Sequence, residues 1–241
     1  MSQAFWYDFF EKKASVKKQI SSFSRNGFVD HQQAQKIRLL ITDIVSELNP
    51  ITLLDCGCGD GSFAVELLKY CHSLVGIEIS PAMADLAKNQ GIDVINESIY
   101  SIFDQNSELF QFLTCVEQEK TLLLFSESLV CINNPNELIK NIARQFRDLG
   151  YILLSTPNQN SIIRKFITLP ATFKLNYLNF HELEADMKSN SYFTREKIYI
   201  FSLPYIFTFG IHFSEKLPPI LVKIMERISV NVIYLFQAIN E

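Results

Sequence analysis

The residues best suited to chemistry lie in one stretch, Asp55-Cys56-Gly57-Cys58-Gly59-Asp60-Gly61, and in one acidic residue beyond it, Glu78. Glycines let a ligand approach the backbone closely. A carboxylate about 20 residues past such a loop is spaced to meet ribose hydroxyls. Two ligand classes fit this arrangement, and charge separates them. A dinucleotide loop reads G-x-G-x-x-G around a pyrophosphate. Here the third glycine comes one residue early, Ser62 takes its place, and Asp55 sets a carboxylate where it would repel phosphate. A phosphate-free nucleoside carrying positive charge would be attracted instead. The spacing therefore favours such a nucleoside over the cofactor of an NAD(P)-dependent oxidoreductase.

If the reaction requires proton removal, imidazole is the side chain best matched to neutral pH. The chain has His31, His72, His181 and His212. His181 is the first candidate base, in the excursion that follows the regular part of the chain. His31 is the second, at the start of a helix leading into the core. Cys56-x-Cys58 is half of a metal-binding pattern, but no second pair follows at zinc-ligand spacing, so no metal site is expected.

The loop can work only between a buried strand and a helix. Ile51 to Leu54 is a short apolar run ahead of it, and Phe63, Leu67 and Leu68 recur at helical spacing behind it. Leu74 to Ile77 predicts a second strand. Ser80-Pro81 predicts a helix start, with serine as the cap and proline where its missing N–H costs nothing. Val94-Ile95, Thr121 to Phe125 and Tyr151 to Ser155 predict three further strands, with helices over 81–90 and 135–146 and in the second half of 101–119. Five alternations of strand and helix predict a doubly wound α/β fold, with a mostly parallel seven-stranded sheet and helices on both faces. Upstream, Ile37, Leu40, Ile41, Ile44, Val45 and Leu48 predict a helix capped by Asp30. Phe5, Phe9 and Phe10 predict an earlier helix with one apolar face. Three regions follow: an aromatic helical lid over 1–30, a nucleoside-binding core over 31–158, and a substrate-side excursion over 159–241. The excursion is expected to be irregular at first, then to hold a helix over 217–228 and to complete the sheet with a strand over 230–238.

The segments LLDCGCGDGSFAVELL (53–68), GIEISPAMADLAK (76–88) and GYILLSTPN (150–158) resemble the class I S-adenosylmethionine-dependent methyltransferases, especially those that methylate small molecules. The resemblance implies S-adenosylmethionine as the cofactor. It implies that Asp55, Gly57, Cys58, Gly59 and Gly61 surround the methionine end, that Glu78 binds the ribose, and that Ile79 lies against the adenine. Glu97 and Ser98 fall where the family meets the adenine amine. Ser126 and Glu127 fall in the turn after the fourth strand on the cofactor side, and Cys131 stands where a histidine is frequent. The implied reaction is methyl transfer by direct displacement to a small or lipid-like acceptor, with oxygen as the commonest accepting atom. A SAM-binding module without catalysis is the alternative.

The chain of 241 residues carries 22 Lys and Arg against 26 Asp and Glu, a net charge of −4. That balance argues against a nucleic-acid partner, which needs a basic surface. The 20 Phe and nine Tyr crowd both ends of the chain and point to a lined pocket or an interface. A monomer or homodimer fits these features. Five cysteines, with charge entering at Asp8 before any apolar run develops, suggest reduced thiols and a cytoplasmic setting. The most apolar stretch, Ile198 to Phe213, falls short of the ~20 residues a spanning helix needs. No transmembrane segment is expected, and contact with a membrane surface stays open.

Overall fold

The computed structural model of the protein describes residues 3–15, 31–158, 160–162, 175–203, 207–213, 224–225 and 227–239. Helices α1 (Gln3–Ser15) and α2 (His31–Leu48) precede five strand-and-helix alternations. These are β1 (Thr52–Cys56), α3 (Ala64–Leu67), β2 (Ser73–Ile77), α4 (Pro81–Asn89), β3 (Asp93–Ile95), α5 (Glu108–Cys115), β4 (Thr121–Ser126), α6 (Pro135–Gln145) and β5 (Tyr151–Pro157). Then come α7 (Phe180–Ser189), β6 (Tyr192–Leu203), β7 (Phe207–Phe213) and β8 (Asn231–Ala238).

The strands form one sheet in the order β3-β2-β1-β4-β5-β8-β6-β7. The first five pair in parallel, as strands joined by crossover helices must. β8 runs antiparallel between β5 and β6. The sheet holds one strand more than the seven expected, because β7 folds back on β6 as a hairpin and extends the edge. β1 and β4 are buried almost throughout, with consecutive apolar residues at Leu53-Leu54 and Leu122 to Phe125, the pattern of strands covered on both faces. One face packs Leu109 and Leu113 of α5, Leu138, Ile139 and Ile142 of α6, and Phe180, Leu183 and Met187 of α7. The other packs Ile37, Leu40, Ile41, Ile44 and Val45 of α2 with Ala64 of α3 and Ala87 of α4.

Ser80 caps α4 as expected: its hydroxyl accepts from Met83 N–H and Pro81 occupies the first turn. The excursion after β5 is more regular than expected, since α7 and the β6–β7 hairpin are built from it. Asp30 and most of the helix expected over 217–228 lie outside the described residues. Within the apolar stretch from Ile198 to Phe213, residues 198–203 belong to β6 and residues 207–213 form β7. Among the described residues, no helix is long and apolar enough to cross a membrane. The chain runs from β1 outward to β3, then returns to β4 on the other side of β1. Beyond the carboxyl ends of β1 and β4, the diverging loops open a crevice where ligands bind in such sheets.

Candidate active site

The loop after β1 bends through three glycines in the left-handed region, Gly57 at φ +87°, Gly59 at +59° and Gly61 at +78°. Gly57 N–H and Cys58 N–H both donate to Ile77 O, at 2.8 and 3.2 Å, which ties the loop to the end of β2. A Cβ on Gly61 would lie 2.9 Å from the backbone of Ala87, so the glycine lets α4 pack against the loop. A Cβ on Gly57 would lie 2.7 Å from Ser128 Cβ, where the loop abuts the turn after β4. Gly76 on β2 makes room for the Cys58 thiol, 2.5 Å from where its own Cβ would stand.

Glu78 leaves the end of β2 with both carboxylate oxygens held. Oε1 accepts from Ser80 N–H at 2.8 Å and Oε2 from Gly59 N–H at 3.0 Å. Burial raises its pKa, those backbone donors oppose the rise, and the nearby Glu11 carboxylate adds to it. Asp55 is buried behind the loop. Burial and then the Glu78 carboxylate push its pKa up to about 7, with the Arg38 guanidinium pulling the other way.

A cavity of about 770 Å³, mouth included, opens above these residues. Its lining combines backbone and polar groups of Gly57, Gly59, Glu78, Glu97 and Ser126 with the apolar side chains of Trp6, Phe10, Ile99 and Ile132 and the Cys131 thiol. Ile79 lies on its wall, and Ser128 brings to it a buried hydroxyl that has no hydrogen-bond partner. Trp6, Val130 and Leu175 form a small core of their own, with Phe5, Phe9, Phe10, Ala34, Cys131 and Tyr177 packed against it. The Trp6 ring stacks on Phe10 at 6.1 Å and meets Phe5 and Phe9 edge-on at 5.4 and 5.7 Å.

The structure thus brings Gly57, Gly59, Glu78, Ile79, Glu97 and Ser126 to one cavity. Other expected residues stand behind it. Asp55 is covered by the loop, Cys58 points at β2, and Gly61 faces α4. Ser98 caps the turn that follows, accepting from Tyr100 N–H at 3.3 Å, while its neighbour Glu97 reaches the cavity. Glu127 adopts φ +58° and turns into a polar cluster. Its Oε1 accepts from Ser155 Oγ at 3.0 Å and from Asn231 Nδ2 at 2.9 Å, and Gln33 of α2 donates to Asn231 in turn. His181 is exposed on α7 and does not line the cavity, so the structure does not bring it to the reacting centre. His31 opens α2, with its side chain outside the described residues. Trp6, Phe10, Cys131 and Ser128 complete the walls. Of these, the aromatic crowding of α1 and the place of Cys131 after the fourth strand carried a signal in the sequence, and Ser128 carried none.

A sequence profile of the family described as "Methyltransferase domain" matches residues 29–204. The chain belongs to the class I S-adenosylmethionine-dependent methyltransferases. The ubiquinone biosynthesis O-methyltransferase of Coxiella burnetii (strain Dugway 5J108-111) is 26% identical to this chain over 131 residues, 52% of each chain. The chain spans about half the length of the curated relatives it matches. Its fold is shared by the magnesium protoporphyrin IX methyltransferase of Synechocystis PCC 6803 with bound SAH, at TM-score 0.58 and 12% identity over 98% of this chain and 99% of that one. A putative S-adenosylmethionine dependent methyltransferase from Listeria monocytogenes aligns at TM-score 0.57 and 14% identity, over 88% and 100% of the two chains.

The residues present fit the family's cofactor. The Glu78 carboxylate is held at the cavity wall, glycines of the loop present backbone to it, and the buried Ser128 hydroxyl has no hydrogen-bond partner. Among the described residues, no group of histidine, cysteine and acidic side chains is arranged to hold a metal ion.

Proposed function

We propose that the protein transfers a methyl group from S-adenosylmethionine to a hydroxyl of a small, largely apolar acceptor seated under α1. The observation that carries this reading is the mixed lining of one cavity. A glycine and carboxylate wall meets an aromatic and aliphatic wall within one space. The relatives named as ubiquinone biosynthesis O-methyltransferases support oxygen as the accepting atom and an apolar acceptor.

When bound, S-adenosylmethionine supplies a methyl group already activated on a sulfonium. The chain's task is to hold the acceptor in line and to keep water out. Glu78 holds the ribose side through its two fixed oxygens. Trp6, Phe10, Ile99, Cys131 and Ile132 bury the acceptor's apolar body. The hydroxyl must lose its proton as the new bond forms. We propose His31 as the base. The support for it is its place at the start of α2, three residues before Ala34, which packs on the aromatic cluster.

The test is methyl transfer from methyl-labelled S-adenosylmethionine to a panel of hydrophobic catechols, hydrophilic phenols, primary amines, RNA and protein. Label on the oxygen of the hydrophobic catechols is the expected outcome. Label confined to amines, RNA or protein would overturn the acceptor assignment. Binding of the cofactor without transfer to any member would favour a non-catalytic module.

A further inference from the structure

One carboxylate joins α1 to the cofactor wall. Glu11 Oε1 accepts from Ser80 Oγ at 2.6 Å and from Ala82 N–H at 3.1 Å. A negative charge is favoured there, because the first turn of α4 presents unpaired N–H groups and the positive end of the helix dipole. The same Ser80 donates its backbone N–H to Glu78 Oε1 at 2.8 Å, and its hydroxyl accepts from Met83 N–H at 3.2 Å. Ser80 is therefore gripped from two directions, by the lid helix on one side and by the ribose-side carboxylate on the other. Phe10 precedes Glu11 directly and Trp6 lies just over one turn earlier, and both line the cavity. Like charges at Glu11 and Glu78 repel, so apolar packing alone gives no reason for this contact. The two donors at the head of α4 supply one.

We propose that Glu11 is a cofactor-positioning residue: it latches α1 onto the first turn of α4 and, through Ser80, fixes the Glu78 carboxylate in the orientation that meets the ribose. The inference rests on S-adenosylmethionine being the cofactor. Glu11 acts at one remove, since it is not part of the cavity wall. Losing the latch frees α1 to lift and Ser80 to turn, while every group of the wall remains in place.

Trp6 is the only tryptophan in the sequence and it lines the cavity, so its emission reports ligand at the site. The experiment titrates the full chain with S-adenosylhomocysteine, following Trp6 emission and heat of binding in parallel, with release rates taken by stopped flow. Glu11→Ala is expected to raise the Kd roughly tenfold and to speed release, the cost of one charge-assisted hydrogen-bonded contact. Glu11→Gln is expected to stay within about threefold of the unmodified chain, because its amide oxygen still accepts from both donors. Ser80→Ala, which removes the hydroxyl that reaches Glu11, is expected to follow Glu11→Ala. Affinity of Glu11→Ala within about twofold of the unmodified chain would overturn the latch. So would a Ser80→Ala variant that binds as tightly as the unmodified chain, since the latch reaches Glu78 only through Ser80. If the unmodified chain fails to bind S-adenosylhomocysteine or S-adenosylmethionine at millimolar concentration, the cofactor assignment itself fails, an outcome separate from any variant.

Discussion

The wall formed by Gly57, Gly59 and Glu78 and the wall formed by Trp6, Phe10, Cys131 and Ile132 face the same space but are assembled differently. The first comes from two consecutive strand-to-helix turns. It consists of backbone in conformations that glycine reaches without strain, and of a carboxylate whose oxygens are bound by main-chain N–H groups. The second is made of side chains carried by α1 and by the turn after β4, which lie far apart in the chain and pack together. A wall of backbone tolerates few substitutions, whereas a wall of side chains can be recut to fit another acceptor. The difference explains how one fold keeps its cofactor while its acceptors diverge.

That contrast can be broken at its stiffest point. Gly61→Val would place a branched side chain at φ +78° and within 2.9 Å of the Ala87 backbone. The variant is expected to lose about 3 kcal/mol or more of stability, read by thermal melting. A melting curve unchanged from the parent would show that the loop is not held as described. Glu78→Gln keeps the shape of the wall and removes its charge. Its affinity for S-adenosylhomocysteine should fall roughly hundredfold by calorimetry. Phe10→Ala acts on the other wall. It should raise the acceptor KM roughly tenfold while leaving S-adenosylhomocysteine affinity within about threefold, and equal losses on both would erase the division.

The smallest effect concerns pH. Asp55 has a folded-state pKa raised from 3.8 to about 7. An acid shifted upward favours the folded chain below its ordinary pKa, and that contribution is lost as pH rises through the folded value. The melting temperature of the ligand-free chain should therefore fall between 3.8 and about 7, and Asp55→Asn should flatten the fall. A cationic ligand that stabilises the ionised carboxylate should oppose it.

The sequence made the first wall readable because everything that forms it is local. The glycine spacing, the carboxylate ending β2 and the Ser80-Pro81 cap are each contained in a few residues, and each sits where it was expected. Glu97 lines the cavity, but its two carboxylate oxygens accept from Glu108 N–H and Leu109 N–H at the start of α5, and its neighbour Ser98 caps the turn that follows. The second wall depends on which distant segments meet. Aromatic crowding marked α1 as covering something, but nothing marked Ser128 or Glu11. His181 misled because an imidazole in an excursion has no local signature of direction, and α7 turns it outward. α7 itself was missed although Phe180, Leu183 and Met187 are spaced for one helical face, because polar residues between them diluted the pattern. The hairpin β6–β7 escaped for a different reason: pairing at a sheet edge is decided by register with β8, which is read from two segments together.

The room that Gly76 leaves for Cys58 has a practical side. Burial first, and Asp55 next, push the thiols of both Cys56 and Cys58 well above the usual thiol range. Since the thiolate is the reactive form, the glycine loop resists alkylating agents and peroxide at neutral pH. Cys115, at the end of α5, is exposed. A maleimide dye or cross-linker applied in limiting amount should load there first and spare Cys56 and Cys58.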